Sequence, residues 1–142
     1  MIDVNLDLPG AAFIPRDYVP DMRAKIDLYR RLARCTDVAA VEQIRDGFVD
    51  RFGPLPDEVR RFLELVELRI DTAFWQVIDL HIEAPYLVFE YTDAGRARQW
   101  VQKSKGRLRI VDDRSIYMTL SADILSDPDR LIETAKSVLR LT

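Results

Sequence analysis

Apolar residues change their spacing along this chain, and each change marks an element. Ile2, Val4, Leu6 and Leu8 alternate with Asp3, Asn5 and Asp7, which predicts a short half-buried strand over 2–8, ended by Pro9 and Gly10. The following stretch, AAFIPRDYVP, holds two prolines that lack backbone donors. It reads as an extended arm pinned down by its aromatic and aliphatic side chains. A helical period then sets in. Asp21 is a plausible N-cap for a helix running to about Arg34, with Met22, Ile26, Tyr29 and Leu32 at spacings of three and four. A second helix fits 37–51, capped by Thr36 or Asp37, with Val41, Ile44, Phe48 and Phe52 as its apolar face. Gly53 is expected to supply a left-handed C-cap, and Pro54 stops the helix. Pro56 and Asp57 open a third helix over 57–75 that buries Val59, Phe62, Leu63, Val66, Ile70 and Phe74.

After Trp75 the period changes again. Residues 77–83 and 86–91 read as two strands across a turn containing Pro85, Ala94 to Val101 as a helix, and 107–111 and 115–120 as a second hairpin around DDR. Pro128 takes the first position of a last amphipathic helix carrying Leu131, Ile132, Ala135, Val138 and Leu139. The predicted class is α+β: an N-terminal arm and three helices, packed with short β-hairpins and two further helices in the order β-β-α-β-β-α. One domain over 1–142 is the simplest organisation, with possible subregions 1–76 and 77–142.

Composition narrows the function classes. A chain that is 48% hydrophobic and 32% charged has material for a core, and a net charge of -3 gives it no global attraction to nucleic acid or anionic membrane. Cys35 is the one cysteine, so neither an intramolecular disulfide nor a cysteine metal cluster is expected, and a cytoplasmic setting fits. No apolar run reaches membrane-spanning length, and the opening MIDVNLDLPG lacks the order of a signal peptide.

Signatures of catalysis are scarce. The sequence has neither a G-x-x-x-x-G-K-[ST] loop nor a G-x-G-x-x-G fingerprint, and its five glycines are dispersed. His81 is the single histidine and reads as an exposed or locally hydrogen-bonded side chain. Cys35 follows a basic helix end, where the dipole does not favour a thiolate. Asp112 and Asp113 fall in a solvated turn. The expectation is a non-enzyme with no cofactor and no metal.

Two charge patterns remain. Glu42, Asp46 and Asp50 follow one another at i,i+4 on the second helix, opposite the Ile44–Phe48 face. Like-charge pairs at this spacing cost a few tenths of a kcal/mol each, and Arg45 compensates only in part. The stripe is either a solvated face or a docking face for a basic partner. The first helix has the opposite sign, with Arg23, Lys25, Arg30, Arg31 and Arg34. The second pattern is RARQWVQKSKGRLR, in which Arg96, Arg98, Lys103, Lys105, Arg107 and Arg109 surround Trp100 without an acidic residue. It is an alternative nucleic-acid patch, although Trp100 and Val101 also fit core positions and a following strand would divide the arginines between faces.

Three ordered motifs, FIPRDYVPD, KIDLYRRLA, and DRFGPLP followed by VRRFLELVELR, resemble the C-terminal domain of the bacterial transcription-repair coupling factor family, Mfd. The resemblance covers essentially the whole chain, with its specific part in 14–69. In that family the full protein couples stalled RNA polymerase to nucleotide excision repair through an ATP-driven DNA translocase, whose motor lies outside this chain. The resemblance implies a non-catalytic, autoinhibitory domain that packs on an N-terminal UvrB-like module. Packing there masks UvrA recruitment and restrains the motor, and direct DNA binding is not expected. Ile14, Pro15, Tyr18 and Pro20 match the family's arm, Tyr29 and Leu32 the following helix, and Asp50, Arg51, Phe52, Gly53, Leu55 and Pro56 the corner, in which Pro54 also stands. Asp50 corresponds to an acidic contact position. Gly47 departs from the family pattern, in which a glutamate can stand there, and so removes one carboxylate that the resemblance implies; Asp46 and Asp50, facing outward beside Glu42 on the charge stripe, are the expected docking edge.

Overall fold

A computed structural model of the chain describes residues 3–141. Its elements are β1 (Asn5–Asp7), α1 (Met22–Ala33), α2 (Val38–Phe52), α3 (Asp57–Phe74), β2 (Val77–Glu83), β3 (Tyr86–Tyr91), α4 (Ala94–Lys103), β4 (Arg109–Ile110), β5 (Ser115–Thr119), α5 (Ala122–Leu125) and α6 (Pro128–Leu139). The class is α+β, and the expected order is present with one addition, the single-turn α5 between β5 and α6. Ile2 of the predicted first strand lies outside the described residues, and the paired part is β1 alone. Among the described residues no helix is long and apolar enough to cross a membrane.

The chain forms two compact units. One comprises the segment up to Pro9 together with everything from Asp71 onward; the other is Gly10–Ile70. The division therefore falls inside α3, and the N-terminal segment goes with the sheet, whereas a boundary at residue 76 groups it with the helices. Strand pairing is the reason. Leu6 of β1 lies beside Leu80 of β2 in a parallel register, the first link of a five-stranded sheet ordered β1-β2-β3-β5-β4.

In the sheet unit, Leu80, Phe89 and Ile116 form one cross-strand row, and Ile82, Leu87 and Met118 the next, so alternation along each strand delivers one apolar face. Trp100 of α4 is fully buried and meets Phe89 edge to face at 5.0 Å. Trp75 stacks on Trp100, with ring centroids 5.6 Å apart and an interplanar angle of 13°. Their indole N–H groups donate to Leu139 O (2.6 Å) and Val138 O (2.8 Å), satisfying carbonyls that the end of α6 leaves without intrahelical partners. All five apolar residues predicted for α6 are buried. Asp127 caps that helix and Pro128 opens it.

Phe74, expected to be buried, is 60% exposed, and the neighbouring Trp75 is buried instead. Gln76 takes a positive φ of 60°, which turns the chain out of α3 and brings Trp75 in. His81 lies between Asp79 and Glu83, at 3.3 Å from each carboxylate. In the β4–β5 turn, Asp112 accepts hydrogen bonds from the N–H groups of Arg114 (2.9 Å) and Ser115 (2.8 Å). These amides hold its carboxyl below the usual carboxylate range.

The helical unit has its own core of Ile14, Val19, Leu28, Leu32, Cys35, Val41, Ile44, Phe48, Val59, Leu63 and Val66. Two members come from the arm, so the arm is packed as expected. The face of α1 needs correction. Met22 and Ile26 are exposed, and the buried line is Leu28, Leu32 and Cys35, a part-turn round the helix. Tyr29 ties the helix to the arm by accepting a hydrogen bond from the Ile14 N–H on its hydroxyl, at 2.8 Å. Arg69 of α3 donates to the carbonyls of Leu32 and Cys35, placing a cation at the negative end of α1. Burial pushes the Cys35 thiol up, and the side chain packs as a small apolar group.

Candidate protein-docking surface

Helix α2 presents two chemically different sides because its apolar residues recur at three and four. Val41, Ile44 and Phe48 are buried. Asp37 starts the helix by accepting from the Ala40 N–H at 2.8 Å, which makes it, and not Thr36, the cap. The opposite side carries Asp46 and Asp50, both exposed, and Glu42, partly exposed.

The three carboxylates differ in what holds them. Arg45 forms ion pairs with Glu42 one turn away on α2 and with Glu67 of α3, the latter at 2.8 Å. The side chain of Glu67 is only 4% exposed, so the guanidinium neutralises a buried carboxylate. Burial alone would lower the Arg45 pKa, but hydrogen bonds to Glu67 and Glu42 more than offset it, and the net direction is upward. Glu42 thus belongs to an internal cluster. Among the described residues, no hydrogen bond or ion pair engages the side chain of Asp46 or Asp50.

The corner after α2 is held by a residue that periodicity alone does not single out. Tyr18 of the arm donates its hydroxyl to Gly53 O at 2.8 Å and lies 3.3 Å from Phe48 O. Its ring sits 5.7 Å from that of Phe52 and 6.1 Å from that of Phe48. Burial raises the phenol pKa, so it stays a neutral donor. The only sequence sign of this clasp is an isolated aromatic between two prolines. Arg51 is exposed and packs over the Phe52 ring at 4.9 Å. Leu55 packs on the helical core, Pro54 is exposed, and Pro56 accepts from the N–H groups of Val59 and Arg60 at the start of α3.

Gly53 itself departs from the expected left-handed cap. Its φ is +89° but its ψ is -168°, a region that glycine alone occupies readily. A Cβ there would meet nothing within 4 Å, so the constraint is the backbone and not a clash. Gly53→Ala is expected to destabilise the helical unit by about 1–3 kcal/mol, read as a lower denaturation midpoint.

The residues of the basic stretch make separate contacts. Arg96 donates to Phe74 O at 2.6 Å and lies over the Phe74 ring at 4.4 Å. Arg107 donates to Ser137 Oγ at 2.7 Å. Arg109 sits over Tyr86 and Tyr117, at 5.5 and 5.9 Å. Arg98, Lys103, Lys105, Arg107 and Arg109 are exposed, and Arg96 is partly exposed. Trp100, at 0% exposure, has no surface on which a base could stack.

Comparison with known proteins gives this geometry a family. The TRCF domain model matches residues 8–99. A transcription-repair-coupling factor of Myxococcus xanthus is 33% identical over 144 residues, covering 98% of this chain but 12% of that protein. The one from Rickettsia prowazekii (strain Madrid E) is 39% identical over 66 residues, 46% of this chain and 6% of its own length. The chain thus spans a small fraction of the relatives it matches. Its fold matches the crystal structure of a C-terminal domain of transcription-repair coupling factor with a TM-score of 0.74 at 19% identity, over 96% of this chain and 94% of that one. This chain belongs to the TRCF domain family, as a domain of the kind that forms the C-terminus of transcription-repair coupling factor.

Proposed function

We propose that this chain is a non-catalytic, autoinhibitory docking domain of a DNA-translocating repair-coupling protein. It binds the N-terminal UvrB-like module of its parent through the Asp46–Asp50 edge of α2, covers the surface that recruits UvrA, and restrains the motor. The observation that carries this reading is that Asp46 and Asp50 are exposed on one face with no cation of their own unit engaged, while Glu42 and Glu67 share Arg45. Carboxylates left in this state repel each other until a basic surface arrives. Single exposed pairs contribute about 0.2–1 kcal/mol each, so affinity depends on several contacts that exclude water together.

The test is a pair of titrations with this chain. The UvrB-like module should bind, and duplex DNA at physiological salt should not. Neutralising Lys103, Lys105, Arg107 and Arg109 should leave docking unchanged. Measurable DNA affinity with a steep salt dependence, lost in that basic-patch variant, would favour a nucleic-acid accessory role instead. Flat titrations with both ligands would favour a structural cap.

A further inference from the structure

The sheet ends in two edge strands of opposite chemistry. Among the described residues, the order β1-β2-β3-β5-β4 leaves one side of β1 and one side of β4 unpaired. Two neighbouring cross-strand rows run its whole width. One joins Leu6, Leu80, Phe89, Ile116 and Ile110; the other joins Asp7, His81, Val88, Tyr117 and Arg109 on the opposite face. Each edge therefore carries an apolar residue next to a charged one. We infer that the β4 edge of one copy of this chain receives the β1 edge of a second copy, extending the sheet with Ile110 opposite Leu6 and Arg109 opposite Asp7. This contact belongs to the sheet unit and does not depend on the docking reading above.

The backbone of both edges is turned for such pairing. Val111 N–H donates to Ser115 O at 2.9 Å, so Val111 and Arg109 are turned to β5 and Ile110 presents its N–H and C=O outward. Leu120 N–H donates to Pro85 O and Tyr91 N–H to Arg114 O, both at 2.8 Å. The odd residues of β3 are thereby turned to β5 and the even ones to β2. Asp79, His81 and Glu83 thus bond β3, and Leu80 bonds the residues flanking Leu6. This leaves the N–H and C=O of Leu6 pointing out of the sheet. An antiparallel register that sets Ile110 against Leu6 sets Arg109 against Asp7 at the same time. It brings Leu6, partly exposed, and Ile110, 39% exposed, together on one face, and an exposed anion beside an exposed cation on the other. Charge also selects the edge. Joining two β4 edges gathers arginines and joining two β1 edges gathers aspartates, whereas unlike edges attract. The contact is heterologous, so copies add in a row, and its short strands make it weak.

The experiment is sedimentation velocity of this chain, Asp7→Lys, Arg109→Glu and the variant with both changes, over a concentration series reaching about 1 mM, with a thermal melt of each. The parent chain should gain mass with concentration. Each single variant should associate about tenfold more weakly, and the double variant, whose edges again carry opposite charges, should return to the parental curve. An equimolar mixture of the two single variants should also associate, because each supplies the charge the other lacks. A parent chain that stays monomeric throughout overturns the inference. So does association of parental strength in both single variants, which would assign the contact to another surface. If Arg109→Glu melts lower than the parent, Asp7→Lys decides: parental association there overturns the inference.

Discussion

Replacing Arg45 by methionine is expected to destabilise the helical unit by about 3 kcal/mol, lowering the denaturant midpoint of its unfolding. The size follows from what is left behind. The guanidinium is shared between Glu67, whose side chain is 4% exposed, and Glu42, whose side chain is 47% exposed. Without it Glu42 can hydrate, but Glu67, whose side chain is 4% exposed, loses a charge-assisted hydrogen bond at a place water does not readily reach. Adding Glu67→Leu to Arg45→Met should therefore recover much of the loss, because replacing both partners of a buried pair with apolar groups is far less harmful than removing one. An Arg45→Met chain as stable as the parent would contradict this account of the cluster.

Trp100→Ala is expected to cost the sheet unit about 3–5 kcal/mol, the largest effect foreseen here. Its ring is fully buried, stacks on Trp75 and meets Phe89 edge to face, so truncation opens a cavity and removes two aromatic contacts. The Val138 carbonyl also loses the indole donor that ends α6. Trp100→Phe separates the terms. It keeps most of the ring volume and leaves the carbonyl without its partner, so it should cost about 1–2 kcal/mol. Chemical denaturation followed by Trp75 fluorescence would report both variants. Stability retained in Trp100→Ala would show that the indole is not the centre of this core.

The elements legible in the sequence were those whose faces are set by local period. Val41, Ile44 and Phe48 announce the buried side of α2, and by exclusion the exposed side bearing Asp46 and Asp50. The apolar series from Leu131 to Leu139 does the same for α6. The α1 face is not legible from period alone, because Met22 and Ile26 share a spacing with Tyr29 and Leu32 yet are exposed, while Leu28 and Leu32 pack on the core beside the arm. Pairing over long separations leaves no such mark. Nothing near Leu6 indicates that it lies beside Leu80, and nothing near Tyr18 indicates Gly53.

Within the candidate surface, the i,i+3 relation of Glu42 and Arg45 is local and readable. The recruitment of Arg45 by Glu67, 22 positions on, is tertiary and was not. That contact separates Glu42 from the other two carboxylates. It leaves Asp46 and Asp50 as the pair on which docking is proposed to turn.

A charge-reversal series in the full-length parent protein tests that claim most directly. Asp50→Lys, alone and with Asp46→Lys, is introduced while circular dichroism confirms that the domain remains folded, and UvrA binding and DNA translocation are measured without RNA polymerase. The account predicts that both rise, more in the double variant, and that reversing basic residues on the UvrB-like module restores the restraint. UvrA binding and translocation unchanged in a folded double variant would contradict it.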